Sequence, residues 1–257
     1  MMGTAMDAKP EITVLDDAAA LADTAARAIV EIAVAAVAAR RRFTVALAGG
    51  NTPRTTYERL AAAPLREQMP WDRTWIFFGD ERAVPPDHPD SNYRMANAAL
   101  LSKVQVPASQ VARIRGEAED ADVSAAEYAR AMTEVFGSRR GELPSFDLIL
   151  LGMGIDGHIG SLFPGSPVLK EVFRPVAAVH AAAASIPQRL TFTLPLINAA
   201  ARVMFLVAGP EKAKVVKAVL TETGSGLPAS MVSPTNGRLT WLLDRPAAAL
   251  LSTAKSR

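Results

Sequence analysis

FDLILLGMGIDGHIGSLFPG, residues 146–165, begins as a mostly apolar run and breaks abruptly into glycine. Residues 146–152 suit a strand buried on both faces. Gly152, Gly154 and Gly157 then spell G-x-G-x-x-G. A dinucleotide site needs a helix opening inside that motif, so that its amides meet the pyrophosphate, and an acid at the next strand end about 20 residues on. Neither is present: His158 and Ile159 follow, Pro164 and Gly165 arrive too soon for a regular helix, and EVFRPVAAV (171–179) has no acid at its strand end. The loop has another purpose.

Working outward, further strands are predicted at 12–15, 43–48, 75–79, 174–179, 189–194, 203–208 and 239–243, several of them continuously apolar. Helical spacing places Leu21, Ala25, Ala28, Ile29, Ile32 and Ala36 on one face of a helix over about 17–40, after an Asp16-Asp17 start. Other helices are expected near 53–63, 91–102, 122–137 and 210–221. Alternating strands and helices imply a mostly parallel central sheet covered on both faces, a three-layer α/β/α, Rossmann-like fold. With no repeat or low-complexity linker, one domain is expected over 10–254, with residues 1–9 a flexible tail.

Composition narrows the function. The chain has 257 residues, 49% apolar and 21% charged, enough for a sizeable core. Lys plus Arg exceed Asp plus Glu by 28 − 26 = 2, and no block of like charge suggests nucleic acid. ARRR (39–42) ends an Ala-rich helix, where cations suit the dipole. The absence of cysteine excludes disulfides, thiolate nucleophiles and cysteine metal sites. No apolar run nears the roughly 18 residues of a membrane span, and no secretory leader is evident, so the expected setting is the cytoplasm without membrane contact.

In parallel sheets, ligands collect beyond the carboxyl ends of strands. Four loops stand there. The first holds Asp156 and His158, two positions apart. It is read either as a proton carrier with an orienting acid or as a structural histidine. In the second, AGGNTPRTTY, Gly49, Gly50, Asn51 and Thr52 precede Pro53 at a helix start. Free amides there favour a phosphate, and an ordinary capped turn is the alternative. FFGDERAVP puts Asp80, Glu81 and Arg82 past a strand, either as an anion fork or as a surface salt-bridge cluster. AGPEKAKVV sets Lys212 in a first helical turn, where a cation calls for a partner. His88 and His180 suit solvated loops, and three histidines without H-x-H or H-x-x-x-H spacing give no metal site.

Together these loops resemble the glucosamine-6-phosphate isomerase/6-phosphogluconolactonase family. The resemblance rests on LAGGNTP, GDERAVPPDHPDSNYRMANAALL, GMGIDGHIGSLFPGSP, PQRLTFTLPLIN and VAGPEKAKVV, in that order and over nearly the whole chain. The deaminase branch resembles D-G-H-I-A-F-N-E-P, whereas here His158 leads into S-L-F-P-G. Two departures stand out: the usual S-G-G-S-T-P reads AGGNTP, and Gly160 replaces a common alanine. The resemblance implies hydrolysis of 6-phospho-D-glucono-1,5-lactone, without cofactor or metal. His158 would be general base, Asp156 would orient it, and Arg82, positioned by Asp80, would steady the oxyanion. Gly49, Gly50, Asn51, Thr52, Arg189 and Lys212 would hold the phosphate. It also leaves a monomer or weak homodimer as the expectation. The rivals are an isomerase/deaminase and a non-catalytic sugar-phosphate sensor; the latter would need a helix-turn-helix segment, for which the sequence ahead of the first strand leaves no room.

Overall fold

The computed structural model describes residues 10–139, 141–182 and 184–251. The expected tail at 1–9 and the domain's last three positions, 252–254, lie outside the described residues. Among the described residues nine strands are formed: β1 (Glu11–Leu15), β2 (Phe43–Leu47), β3 (Thr74–Phe78), β4 (Asp80–Arg82), β5 (Leu148–Leu151), β6 (Val176–His180), β7 (Gln188–Phe192), β8 (Arg202–Val207) and β9 (Arg238–Asp244). The helices are α1 (Ala18–Arg40), α2 (Asn51–Leu60), α3 (Leu65–Gln68), α4 (Asn92–Ala99), α5 (Ala121–Phe136), α6 (Leu194–Asn198), α7 (Ala213–Thr221) and α8 (Arg245–Ala248).

Six strands build one sheet in the order β1-β9-β8-β5-β2-β3, and every pairing in it is parallel. Each residue of β2 and of β5 is buried, the pattern of strands covered on both faces. Asp17 caps α1 by accepting from the Ala20 amide, and Leu21, Ala25, Ile29 and Ala33 turn into the core as their spacing requires.

Order within the sheet reverses between β2 and β5. From β2 the chain steps to β3 on one side, whereas β5, β8 and β9 follow one another on the other side. Loops leaving the carboxyl ends of β2 and β5 therefore diverge and leave a crevice between them. The loop after β2 is the Gly49–Thr52 segment, and the loop after β5 carries Asp156 and His158.

Two predicted strands depart from the expected sheet. Residues 174–179 and 189–194 do form strands, but β7 pairs antiparallel with β6 on one side and with β4 on the other, in a separate three-stranded sheet. The connection between them is too short to carry a crossover helix, so they pair as a hairpin. β4 follows β3 after only Gly79, whose amide bonds Leu47 of the main sheet and whose carbonyl accepts from Phe192 of the small one. The chain passes from one sheet to the other at that residue, which brings the small sheet against the crevice.

Candidate active site

The carboxyl ends of β2, β3, β5 and β8 enclose a cavity of about 360 Å³. Gly49, Gly50, Asn51, Thr52, Asp80, Arg82, His158, Arg189 and Lys212 all line it. Asp156 stands beside it through His158.

At the β5 end, His158 Nδ1 lies 2.6 Å from Asp156 Oδ1, and the same oxygen accepts from the His158 amide at 3.2 Å. Acceptance by a carboxylate fixes the proton on Nδ1 and leaves the Nε2 lone pair free for a proton. Burial pushes the Asp156 carboxyl up, but the His158 amide, the imidazole charge and the ring N–H outweigh it, and the group ends below its ordinary value. A Cβ on Gly154 would overlap the imidazole and the Asp156 carboxylate, so this close approach requires glycine there. The ring packs on Phe163 with centroids 4.5 Å apart.

At the β2 end, α2 begins at Asn51 with Gly50 in the cap position and no side chain bonding its first amides. The ordinary side-chain cap is thereby absent, and the amides of the first turn open towards the cavity with the positive end of the helix. Tyr57 secures this loop from below: its hydroxyl accepts from the Ala48 amide and donates to the Ala48 carbonyl, both at 2.9 Å. Complete burial pushes the Tyr57 phenol well above its ordinary value, so it stays a neutral donor and acceptor.

The Asp80–Arg82 segment is interior, which overturns its reading as a surface salt-bridge cluster: Asp80 is 5% and Glu81 2% exposed. Glu81 accepts from the amides of Arg82, Asn92 and Tyr93 and from Ser91 Oγ. Burial pushes its carboxyl above the ordinary value in spite of those donors. Asp80, expected to position Arg82, has no direct contact with it: its carboxylate accepts from Asn92 Nδ2 at 3.0 Å and Ser161 Oγ at 2.8 Å, and Asn92 Oδ1 receives Arg82 Nη1, so any positioning by Asp80 passes through Asn92.

Arg189 stands opposite Arg82 in the antiparallel β4–β7 register. Its Nε donates to Ile186 O at 2.9 Å and its guanidinium lies 5.7 Å from the Phe163 ring centre. Burial, then the charge of Arg82, lowers its proton affinity. Lys212 ends the turn ahead of α7 and donates from Nζ to Met153 O at 2.8 Å, the partner its position called for. Among the described residues, none of Arg82, Arg189 and Lys212 pairs with a carboxylate. Three cations thus face one cavity with no carboxylate in direct salt-bridge contact, although Asp80 and Glu211 also line it, an arrangement that favours an anionic ligand.

The profile described as glucosamine-6-phosphate isomerases/6-phosphogluconolactonase matches residues 16–241. The chain belongs to this family. It is 39% identical over 246 residues to a 6-phosphogluconolactonase of Nostoc, covering 95% of this chain and 99% of that one. It is 42% identical over 214 residues to the 6-phosphogluconolactonase of Rattus norvegicus, covering 83% and 82%. In three dimensions it superposes on the 6-phosphogluconolactonase of Trypanosoma cruzi with a TM-score of 0.85 at 32% identity, covering 97% of this chain and 99% of that one.

Within this family frame, sequence reasoning missed Asn92, Tyr57, Ser161 and Phe163, which hold the lining groups in place. Asn92 and Tyr57 carry no signal of their own as single residues. Phe163 and Ser161 sit inside S-L-F-P-G, which marked the branch without revealing what the side chains touch.

Proposed function

We propose that this protein hydrolyses 6-phospho-D-glucono-1,5-lactone to 6-phospho-D-gluconate, in the oxidative pentose phosphate pathway and in the cytoplasm, as a monomer or weak homodimer. The observation that carries the reading is a single cavity shared by an Asp156-held imidazole and by three cations without carboxylate partners.

The chemistry balances with water alone. His158 Nε2 takes a proton from a water molecule while the oxygen attacks the lactone carbonyl carbon. The resulting oxyanion meets the Arg82 guanidinium. When it collapses, the bond between C1 and the ring oxygen breaks, and the imidazolium returns its proton to that oxygen. General acid and base action of this kind contributes typically 10²–10⁴-fold. Asp156 keeps the imidazole in the tautomer the first step needs and steadies the cation formed in it. The substrate phosphate rests on the amides of Gly49, Gly50, Asn51 and Thr52, with Arg189 and Lys212 supplying charge. Holding this remote group lets binding energy position the reacting carbonyl.

The test is direct. The lactone is generated enzymatically at a pH where spontaneous opening is slow, and acid release is followed with and without the protein. Acceleration of the phosphorylated lactone, and not of its dephosphorylated counterpart, is expected. Equal rates on both would remove the phosphate assignment, and ammonia release from glucosamine 6-phosphate would move the protein to the isomerase/deaminase branch.

A further inference from the structure

Asn92 is 2% exposed, at the first position of α4, and none of its side-chain atoms is idle. Its Nδ2 donates to the Asp80 carbonyl at 2.9 Å and the Asp80 carboxylate at 3.0 Å. Its Oδ1 receives Arg82 Nη1. An amide can be assigned either way round in principle, but here its neighbours decide: a guanidinium only donates, and the Asp80 oxygens only accept. Its own amide is clamped by Glu81 Oε1 at 2.7 Å, and Ser91 caps the helix behind it. The backbone thus holds the side chain in place from its root.

Two further facts give this contact a purpose. Arg82 has no carboxylate partner among the described residues and faces the guanidinium of Arg189 across the β4–β7 pair, so like charge would drive the two apart. On the other side, a Cβ on Gly49 would overlap the Asn92 amide group. Gly49 lies outside the left-handed region, so glycine is needed there for space and not for backbone conformation.

We infer that Asn92 is a positioning residue: its amide, seated in the space above Gly49 and anchored by Asp80, fixes the Arg82 guanidinium for the carbonyl end of the substrate. It acts through Arg82 and touches no substrate. The requirement at Gly49 is then room for Asn92, a role separate from any amide that position offers to phosphate. This inference rests on the lactonase reading for its kinetic part alone.

The test combines kinetics with a measurement that needs no substrate. Asn92→Ala should lower kcat by about 10- to 100-fold, less than the roughly 10²–10³-fold of losing an oxyanion donor outright because Arg82 remains and is only displaced, with KM changed less than about threefold. Gly49→Ala, which crowds the same amide and keeps an allowed backbone, should give the same loss and serves if Asn92→Ala does not fold. In the Asn92→Ala background, Gly49→Ala should add less than about a twofold further loss, because both remove one interaction. In the ligand-free protein, the Arg82 side-chain nitrogen signals, assigned by Arg82→Lys, should show hindered guanidinium rotation in the wild type and averaging in Asn92→Ala. Additive losses, a rise in KM at constant kcat, or unchanged Arg82 signals would each overturn the inference. A wild type inactive on the lactone would remove the functional reading and leave the Arg82 signals to decide the tether.

Discussion

Arg82 on β4 and Arg189 on β7 are directly paired across an antiparallel ladder, placing two guanidinium-bearing side chains on one face of the small sheet. Like charges opposite one another destabilise a ladder, and here the pair is retained at the wall of a cavity. An anion between or beside them removes that cost. Arg189→Met keeps the apolar stem and deletes the charge. The free protein should melt within about 2 °C of wild type, since lost packing and relieved repulsion offset, a shift of about 1 kcal/mol or less. The rise in melting temperature on adding 6-phosphogluconate should shrink sharply, because that rise follows the ligand concentration relative to Kd. Thermal scans with and without ligand separate the two effects, and an undiminished ligand shift would take Arg189 out of the phosphate site.

His158→Ala should lower kcat by at least about 10²-fold while leaving 6-phosphogluconate affinity nearly intact, since general base action is felt in the transition state. Stopped assays corrected for spontaneous opening, alongside calorimetric binding, check both halves. Unchanged turnover would remove the imidazole from the mechanism.

Asp156 should give a signature in pH. Its folded carboxyl lies below the ordinary value, so it binds fewer protons folded than unfolded just under that value. Its stabilising contribution is therefore complete above the ordinary carboxylate range and lost as pH falls through the lowered folded value. The melting-temperature gap between wild type and Asp156→Asn should be widest near neutrality and close as pH falls through the lowered carboxyl value. At neutral pH the variant should also lose about 10²-fold or more in kcat, since an amide can donate to Nδ1 and hold the wrong tautomer. A gap that persists in acid would mean that the carboxylate charge is not what holds the ring.

Tyr57→Phe removes one hydroxyl that serves both the amide and the carbonyl of Ala48 in the buried floor of the phosphate loop. Two unsatisfied backbone groups, at about 1–3 kcal/mol each, should cost about 2–6 kcal/mol in urea unfolding. On the proposed assignment of this loop to the phosphate, KM should rise with little change in kcat. A variant as stable as wild type would show that water replaces the hydroxyl.

Much of this was legible along the chain. Buried strands announce themselves by continuous apolar runs such as LILL in β5, and α1 by its spacing and its Asp17 cap, because both are local consequences of side-chain period and capping. The loops holding the lining residues were legible too, since four glycine- and polar-rich loops stand at strand ends, where ligands of a parallel sheet collect. Partnership was not. Asp80 lies two residues from Arg82 and shares its strand face, yet what each side chain meets depends on α4 and the Ser161 turn folding over β4.

The chain by itself determined the period of its strands and helices, the cap of α1, the glycine loops at strand ends and the adjacency of Asp156 to His158, because each is settled within a few residues. Only the tertiary structure decided that β4, β6 and β7 leave the main sheet, that Arg82 and Arg189 become cross-strand neighbours, and that Asn92 sits between Gly49 and Arg82. Those relations join residues from 10 to more than 100 positions apart in sequence, brought together by burial and pairing that no local pattern encodes.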